Sequence, residues 1–505
     1  MRPWVVPWMG VGWLAGILVG SLTVVPVVLL TASGISAALA YAVSWSRALF
    51  SERGAQVVRL SALTVLAGMF GIWRANGALL FDQGQQEQWD PFYGRPAVVR
   101  GVVRDAEIRG VLVRLTIGQL SLKDRAVLGM LRTTVPRSPG IGENAVIRLR
   151  GKLERPEDLP RLLSARTGQP VRGDLERVFR RQQVFATMRF PDVRIETAAR
   201  PSVLTRVRFS LRDLLLQQLP DPAAGLYSAL LLSFDRDLPS SLREAAAATG
   251  ILHLVAISGS HIAAIAAVAF FIAVTAGLSR TTAAMTTLAF TAVFLALVGF
   301  PESGVRSGIM AGLVLFATLL GRHAAGLRAL LLAIVVMAAI DPRVLLGDVG
   351  LQLSALAVWG LLTIFPFLQQ VFRQIPDPLR LRSLILLTIA AELATLPVVV
   401  YTFGRIPLFG PLTNLAAGVL FPFLLALGAL VLLTSVVAPA MTALVAPLAT
   451  LLGNAFLGIA ERVSAIPGHL ITVPPVSLTF FLTSLVSLLV VGHLLQRRPR
   501  SATTA

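Results

Sequence analysis

The stretch LPSSLREAAAATGILHLVAISGSH, residues 238–261, determines how the region around it folds. Its first half has the apolar spacing of an amphipathic helix, which we expect to end at Thr249-Gly250. An apolar run long enough to cross a bilayer begins there, but polar residues interrupt it. Polar groups at membrane depth are tolerated only where they face protein or water. The stretch therefore predicts a broken helix inside a membrane domain.

The composition of the whole chain agrees with this prediction. Of the 505 residues, 55% are hydrophobic and 14% are charged, and the mean hydropathy is +0.75. Soluble domains carry about 25% charged residues, so a water-soluble globule of this length is excluded. The sequence predicts a polytopic α-helical membrane protein.

Scarce residue types exclude several kinds of site. The chain has no cysteine, which excludes disulfides and cysteine-ligated metal sites. The only Gly-Lys pair, Gly151-Lys152, continues into Leu153, so a Walker A loop is absent. We expect neither a cofactor nor a metal, and any nucleotide-driven work must come from a partner.

Apolar segments on both sides of one polar insert predict about twelve membrane spans. They lie near residues 5–22, 25–45, 57–75, 251–278, 281–300, 305–321, 325–340, 349–368, 383–402, 411–436, 441–460 and 477–495. Arginine-rich short loops then alternate with arginine-poor ones, which by the positive-inside rule places both termini in the cytoplasm and the insert outside. The predicted regions are N-terminal helices 1–81, the insert 82–200, interfacial helices 201–250, a second transmembrane domain 251–495 and an Arg-rich tail 496–505.

The insert has the two-residue period of β-strands. Strands are predicted at residues 98–104, 111–117, 125–133, 145–150 and 184–198. Five short strands with Gly/Pro turns predict an all-β, OB-like barrel. After it, residues 203–219 place Leu204, Val207 and Leu211 on one helical face, which predicts an amphipathic helix on the membrane surface.

The helix break supplies the first candidate site residues. They are His253, Ser258, Gly259, Ser260 and His261. One interpretation is that these side chains form a functional site at membrane depth. The other is that they only satisfy the unwound backbone between packed helices.

The same stretch resembles the signature of ComEC-type competence proteins, close to L-R-x-A-x-x-x-T-G-L-x-H-L-L-A-x-S-G-x-H. The matching positions are Leu242-Arg243, Ala245, Thr249-Gly250, His253-Leu254, Ala256, Ser258-Gly259 and His261. Similar blocks follow in the family's order at Val305-Arg306-Ser307, Gly350-Leu351-Gln352-Leu353-Ser354, Thr395-Leu396-Pro397 and Asn414-Leu415. Ser307 replaces the usual alanine, and Leu351 replaces the usual phenylalanine.

The resemblance implies a channel that passes single-stranded DNA across the bacterial inner membrane in natural transformation. Arg306, Gln352 and Asn414 lie in the resembling blocks and complete the candidate channel residues. Many members of the family also end in a metallo-β-lactamase-like domain, but the five histidines of this chain include no His-x-His-x-Asp-His run. We therefore expect no nuclease activity and no catalytic residues in this chain.

DNA as cargo fits the charge of the insert, which holds 22 Lys/Arg and 14 Asp/Glu residues. Phosphate neutralisation dominates the binding of nucleic acids, so strand arginines are candidate DNA contacts. They are Arg100, Arg104, Arg114, Arg148 and Arg150. Since the predicted strands contain almost no aromatic residues before Phe185 and Phe190, the insert would guide the DNA backbone without gripping bases. A merely solvated basic face is the alternative.

Two other function classes remain open at this stage. An ion- or proton-coupled small-molecule transporter would use broken helices and the isolated carboxylate Glu392. An intramembrane hydrolase would use Ser258 with His253 or His261, but no acidic residue lies nearby in sequence to orient the base. Arg306 lies one turn from Glu302, so an ion pair is the alternative to a pore-lining role.

The channel interpretation implies several partners. They are single-stranded DNA, membrane lipid, an extracytoplasmic DNA receptor, a cytoplasmic helicase-like ATPase, a separately encoded nuclease and a second copy of the chain.

Overall fold

The computed structural model describes residues 5–44, 52–109, 111–122, 125–156, 175–199, 201–319 and 326–497. These residues form two compact units. The first contains the described residues between 1 and 201 and those of 328–351, and the second contains the described residues of 202–327 and 352–505. The distal part of the predicted tail, residues 498–505, lies outside the described residues.

The first unit begins with helices α1 (Val5–Leu22), α2 (Val27–Val43) and α3 (Glu52–Trp89). The backbones of α1 and α3 approach so closely that a Cβ at Gly16 would lie 1.8 Å from Gly68 O. Glycines at the contact permit such close packing. The helix α3 runs without interruption past residue 81, where the insert was expected to begin.

Later helices of the chain also join the first unit. They are α12 (Gly326–Ile340) and the short α13 (Val344–Gly347). Arg343, between them, donates to the buried carboxylate of Asp82 on α3 at 2.6 Å. A buried charge needs such a partner, so this ion pair fixes the end of α3 against α13.

The insert is a β-barrel. Its strands are β1 (Pro96–Arg109), β2 (Leu112–Leu122), β3 (Arg125–Val127), β4 (Met130–Pro136), β5 (Val146–Glu154), β6 (Val184–Arg189) and β7 (Asp192–Thr197). The order β1-β2-β4-β6-β5 returns to β1 through the β1–β5 pairing, which closes a ring. Within the ring, β4 and β6 run parallel and the other pairs run antiparallel. β3 and β7 extend the sheet from β2 and β5.

The barrel interior is apolar, as the alternating sequence predicts. Leu115, Ile117 and Ile147 are fully buried, whereas the neighbouring Arg148 is exposed. Helix α4 (Leu175–Arg181) lies between β5 and β6 in the chain. The barrel thus has a hydrophobic core of its own, and its arginines project outward.

The described residues of the second unit form helices and one small hairpin. Its helices are α5 (Val203–Gln218), α6 (Ala223–Leu232), α7 (Ser240–Ala248), α8 (Leu252–Val255), α9 (Gly259–Thr275), α10 (Arg280–Leu297), α11 (Glu302–Leu319), α14 (Val349–Val371), α15 (Leu381–Phe403), α16 (Gly410–Val437), α17 (Pro439–Ser464) and α18 (Leu478–Arg497). The hairpin pairs β8 (Arg405–Pro407) with β9 (Leu470–Thr472). Its core surrounds Tyr227, which is fully buried and donates to Ala449 O on α17 at 2.9 Å. The helix predicted at 203–219 is α5.

Among the described residues, six helices are long and apolar enough to cross a membrane. They occupy Gly54–Phe92, Arg280–Leu297, Val349–Val371, Leu381–Phe403, Gly410–Val437 and Pro439–Ser464. Shorter apolar helices accompany them, including Pro7–Leu22 and His261–Thr275. A membrane protein is therefore supported, and the count of about twelve spans stays a prediction.

Candidate functional site

The break predicted from residues 238–261 is present in the helical unit. Helix α7 ends before Thr249, α8 is a single turn, Ala256 is extended, and α9 begins at Gly259. Gly250 has a φ of +83°, which is a left-handed conformation that favours glycine. The helix therefore ends at the Thr249-Gly250 pair, as the sequence predicts.

Ser258 and His261 cap the start of α9. The backbone N–H of Ser258 donates to His261 Nδ1 at 3.1 Å, and Ser258 Oγ lies 2.9 Å from the same nitrogen. His261 thus takes the place that Glu or Gln has in a capping box. Because Nδ1 accepts the backbone hydrogen bond, the ring proton resides on Nε2.

The other side of the His261 ring is closed by apolar packing. The side chain is fully buried, and its ring meets Phe421 of α16 edge to face at 4.7 Å. Within the part of the chain that the structure describes, His261 Nε2 has no hydrogen-bond partner. In a serine hydrolase, the nitrogen of the base that faces away from the serine donates to an acceptor that orients the ring.

Gly259 lies against α11. A Cβ at Gly259 would lie 3.0 Å from Ser307 Oγ, which is closer than ordinary van der Waals contact. Ser307 itself donates to Ser303 O at 2.8 Å, and Ser303 Oγ donates to the carbonyl of Ile257. Two serines of α11 thus contact the break. Ser303 satisfies the carbonyl of Ile257, and Ser307 leaves little space for a side chain at position 259.

His253 and Thr249 occupy the other end of the break. The exposed His253 donates from Nδ1 to Gly250 O at 2.9 Å. The carbonyl of Thr249 accepts from Thr413 Oγ1 of α16 at 2.7 Å. The backbone of Ser260 lies in the first turn of α9, and its side chain lies outside the described set.

Arg306 and Gln352 lie on α11 and α14. The Arg306 side chain is buried, and its Nη2 lies 3.5 Å from Ser354 Oγ. Gln352 is half-buried two residues before that serine. The structure therefore places the two predicted residues on the helix pair α11 and α14.

Asn414 contacts a carboxylate that the sequence suggested to be isolated. Its Nδ2 donates to Glu392 Oε1 of α15 at 3.1 Å, so Glu392, which has no polar neighbour in the sequence, has a hydrogen-bond donor in the fold. A Cβ at Gly410 would lie 2.6 Å from the same Oε1, so a larger residue where α16 begins would displace the Glu392 carboxylate. The two residues are 22 positions apart, and no local pattern in the sequence indicates their contact.

The five predicted DNA-contacting arginines do not form one cluster. Arg100 and Arg148 are cross-strand neighbours on β1 and β5 and share one partner, Glu196. Arg150 follows two residues later on β5 and is exposed. In contrast, Arg114 lies 3.5 Å from Glu107. Arg104 lies at the second of two register shifts between β1 and β2, and its side chain lies beside Gly118 of β2.

A metal centre finds no support in the described residues, where no group of three His, Asp or Glu side chains is arranged to hold an ion. The candidate site is therefore a polar helix break whose contacts are hydrogen bonds and close packing.

Comparison with known proteins agrees with this sequence and geometry. The model of the family described as "Competence protein" matches residues 230–498, which is more than half of the chain. The chain belongs to the ComEC-type competence protein family. The match covers the helix break and the helices α9 to α18.

A curated relative supports the assignment. ComE operon protein 3 of Bacillus subtilis (strain 168) is 27% identical to this chain over 211 residues. The alignment covers 42% of this chain and 26% of that protein, so the chain matches about a quarter of its relative's length. No solved structure matches the chain significantly.

Proposed function

We propose that this protein is an inner-membrane channel for the uptake of single-stranded DNA in natural transformation. The observation that carries the proposal is the hydrogen-bonded helix break between α7 and α9. It lies inside the region that matches the competence family and holds Ser258, Gly259 and His261 in a defined geometry. A polyanion requires a polar, water-accessible path, and a break of this kind supplies polar groups within an apolar helical unit.

The barrel supports the same proposal as an extracytoplasmic DNA guide. Its closed ring of strands with a single parallel pair, β4 with β6, is consistent with an OB-like barrel. Barrels of this kind bind oligonucleotides, and the outward arginines suit a phosphate backbone. The DNA receptor, helicase-like ATPase, separate nuclease and second copy of the chain belong to the proposal as partners.

In this proposal the protein is not an enzyme. Ser258 caps α9, and His261 lacks a carboxylate partner among the described residues. A channel needs polarity at the break but no nucleophile. Strand degradation would then be the task of a separate nuclease.

The Glu392–Asn414 pair favours a second candidate, a proton-coupled transporter. A carboxyl group between two apolar helices is the kind of group that carries protons in transporters. Replacement by glutamine distinguishes the two functions. Glu392→Gln keeps a hydrogen-bond acceptor for Asn414 and removes the titration, so a channel should retain DNA entry while a proton-coupled transporter should lose transport.

The proposal is tested in a transformable host whose own copy of the gene is deleted. Delivery of labelled DNA to the cytoplasm should be lost in the deletion strain. Expression of the wild-type gene for this protein should restore it. Surface-bound DNA should persist without the protein, because collection and translocation are separate steps. Normal delivery in the deletion strain would sink the proposal.

A further inference from the structure

Three strands of the barrel place a row of arginines on one outer face. Arg100 on β1 pairs in register with Arg148 on β5, and Arg148 pairs with Arg194 on β7. Residues directly opposite each other on neighbouring strands project to the same side of a sheet. The side chains of Arg100 and Arg148 are 57% and 53% exposed, so solvent and ligand can reach them.

The row continues along β5. Arg150 and Lys152 follow Arg148 at the two-residue spacing that keeps them on the same face. Arg150 lies opposite Asp192 of β7, and the exposed face is therefore mixed but predominantly basic. Arg194 and Lys152 were not singled out from the sequence, because only the strand pairing brings them beside Arg148.

Glu196 is the acidic residue that this row surrounds. Its Oε2 accepts from Arg100 Nε at 2.6 Å. Its Oε1 accepts from Arg148 Nε at 2.8 Å and lies 2.7 Å from Arg148 Nη2. The two guanidinium groups thus converge on one carboxylate, although a pair of arginines directly opposite each other would otherwise repel.

A carboxylate and a phosphodiester group present similar chemistry to arginine. Each offers two oxygens that share one negative charge, and guanidinium groups bind both by paired N–H donors. The Glu196 carboxylate therefore stands where a backbone phosphate of a nucleic acid would be held.

We propose that Arg100, Arg148 and Arg194 form a phosphodiester subsite on the β1–β5–β7 face and that Glu196 is its built-in competitor. This inference rests on the proposed function and specifies where single-stranded DNA is held. Glu196 keeps the two guanidinium groups converged and weakens the binding of each phosphate, so that the strand can advance instead of remaining bound. The face differs from that of the second and third ring strands, β2 and β4, which OB-folds commonly use.

The test uses the full-length protein in detergent or nanodiscs, with a labelled oligothymidylate as the probe at several salt concentrations. Arg148→Gln and Arg100→Gln should each weaken binding about tenfold at low salt. Each should also lower the slope of log affinity against log salt by about 0.7, the loss of one phosphate contact. Glu196→Gln should strengthen binding of the oligonucleotide. Binding should remain independent of base sequence and of base stacking, as in the wild type.

A matched control is available at the other end of the barrel. Arg137 directly follows β4, and the last residue of β4 pairs with Leu112 at the start of β2. Arg100 pairs with Ser121 near the end of β2, so the two arginines lie at opposite ends of that strand. Arg137→Gln removes the same charge from an exposed position and should leave the affinity unchanged. Equal losses in the Arg137 and Arg148 variants would overturn the subsite, because only net charge would then matter.

The remaining outcomes separate this inference from the proposed function. DNA delivery in cells that depends on the protein, together with oligonucleotide binding that ignores all three arginines, overturns the subsite alone. Binding of phosphatidylglycerol vesicles but not of the oligonucleotide through the same arginines overturns it too, since the ligand would be lipid. Weaker binding by Glu196→Gln, measured at a temperature at which both proteins are folded, overturns the role of Glu196 as competitor.

Discussion

At the residue scale, substitutions of Ser258 and Gly259 in the helix break distinguish the channel hypothesis from the hydrolase hypothesis. Ser258→Ala removes a helix cap, which costs about 1 kcal/mol, and should leave substantial DNA delivery because no nucleophile is needed. Gly259→Leu should abolish delivery, since even a Cβ would lie 3.0 Å from Ser307 Oγ. Cytoplasmic delivery of labelled DNA and the membrane level of each variant are the measurements.

A compensating pair controls for simple misfolding at Gly259. Gly259→Ala combined with Ser307→Ala removes the oxygen that the new methyl group would meet, so this double variant should deliver DNA better than Gly259→Ala alone. Complete loss with Ser258→Ala beside near-normal Gly259→Leu is the hydrolase pattern and would contradict the channel.

The hydrogen bonds of Glu196 predict how the stability of the barrel depends on pH. The hydrogen bond from Arg100, followed by that from Arg148, lowers the pKa of Glu196 below its ordinary value near 4.5. A carboxyl whose pKa is lower in the folded state stabilises the fold above its unfolded pKa, and this contribution is lost as the pH falls through the folded pKa. Wild-type protein should therefore lose barrel stability below about pH 4.5, and Glu196→Gln should show a shallower loss.

Protease protection of the barrel between pH 3 and 6 checks this prediction, because the membrane helices contribute little to cleavage in exposed β-turns. Identical pH profiles for wild type and Glu196→Gln would show that the carboxylate contributes nothing to stability.

The residues of the break could be found from the sequence, whereas their partners could not. Ser258 and His261 can be identified because they are polar residues within an apolar run, and polar residues are rare in membrane-spanning segments. Ser307, Phe421 and Thr413 contact the break from other helices, and their sequence separations carry no periodic signal. The Glu392–Asn414 contact was missed for the same reason.

At the element scale, glycines on α1 set the distance to α3. A Cβ at Gly16 would lie 1.8 Å from Gly68 O, and one at Gly12 would lie 2.2 Å from Thr64 O. Gly16→Ala should therefore separate the two helices and lower the melting temperature of the protein in detergent. Glycine-mediated contacts of this kind allow helix backbones to approach closely in membranes.

Gly77 on α3 is the control, because a Cβ there has nothing within 4 Å. Gly77→Ala replaces glycine by a better helix former and should raise stability by up to about 1 kcal/mol. A melting temperature for Gly16→Ala equal to that of Gly77→Ala would mean that the close approach does not matter for stability.

The sequence located the strands of the insert, but two of the predicted strands each cover two observed strands. The expected strand at 125–133 divides at Gly129, which has a φ of +104°, and the expected strand at 184–198 divides at Phe190, which has a φ of +41°. Hydrophobic alternation shows where strands occur but not where they turn or which strands pair. The parallel pairing of β4 with β6 is therefore a structural result, since it joins segments about fifty residues apart.

At the scale of the whole molecule, the six long apolar helices do not by themselves fix an orientation. Helix α6 illustrates the difficulty, because it is apolar yet has ten residues, all of them buried, and was not predicted as a span. Shorter apolar helices such as Pro7–Leu22 were predicted as spans. Length and hydropathy leave the number of crossings open, so the charge of the loops has to decide the side on which each lies.

The arginine distribution predicts cytoplasmic termini and an extracytoplasmic barrel. A reporter inserted within residues 137–142, in the exposed turn region between β4 and β5, should be active outside the cytoplasm, and one fused after Ser501 should be active inside it. This result follows if an even number of spans separates the termini and an odd number precedes the barrel. The same reporter inserted after Ser279, before α10, supplies an internal check, because Arg280 predicts that this loop is cytoplasmic. A reporter at Ser279 that is active outside the cytoplasm would show that the span count is wrong between the barrel and α10. If only the reporter at Ser501 is active outside, the error lies after α10, where the helices α15 and α16 each contain a proline.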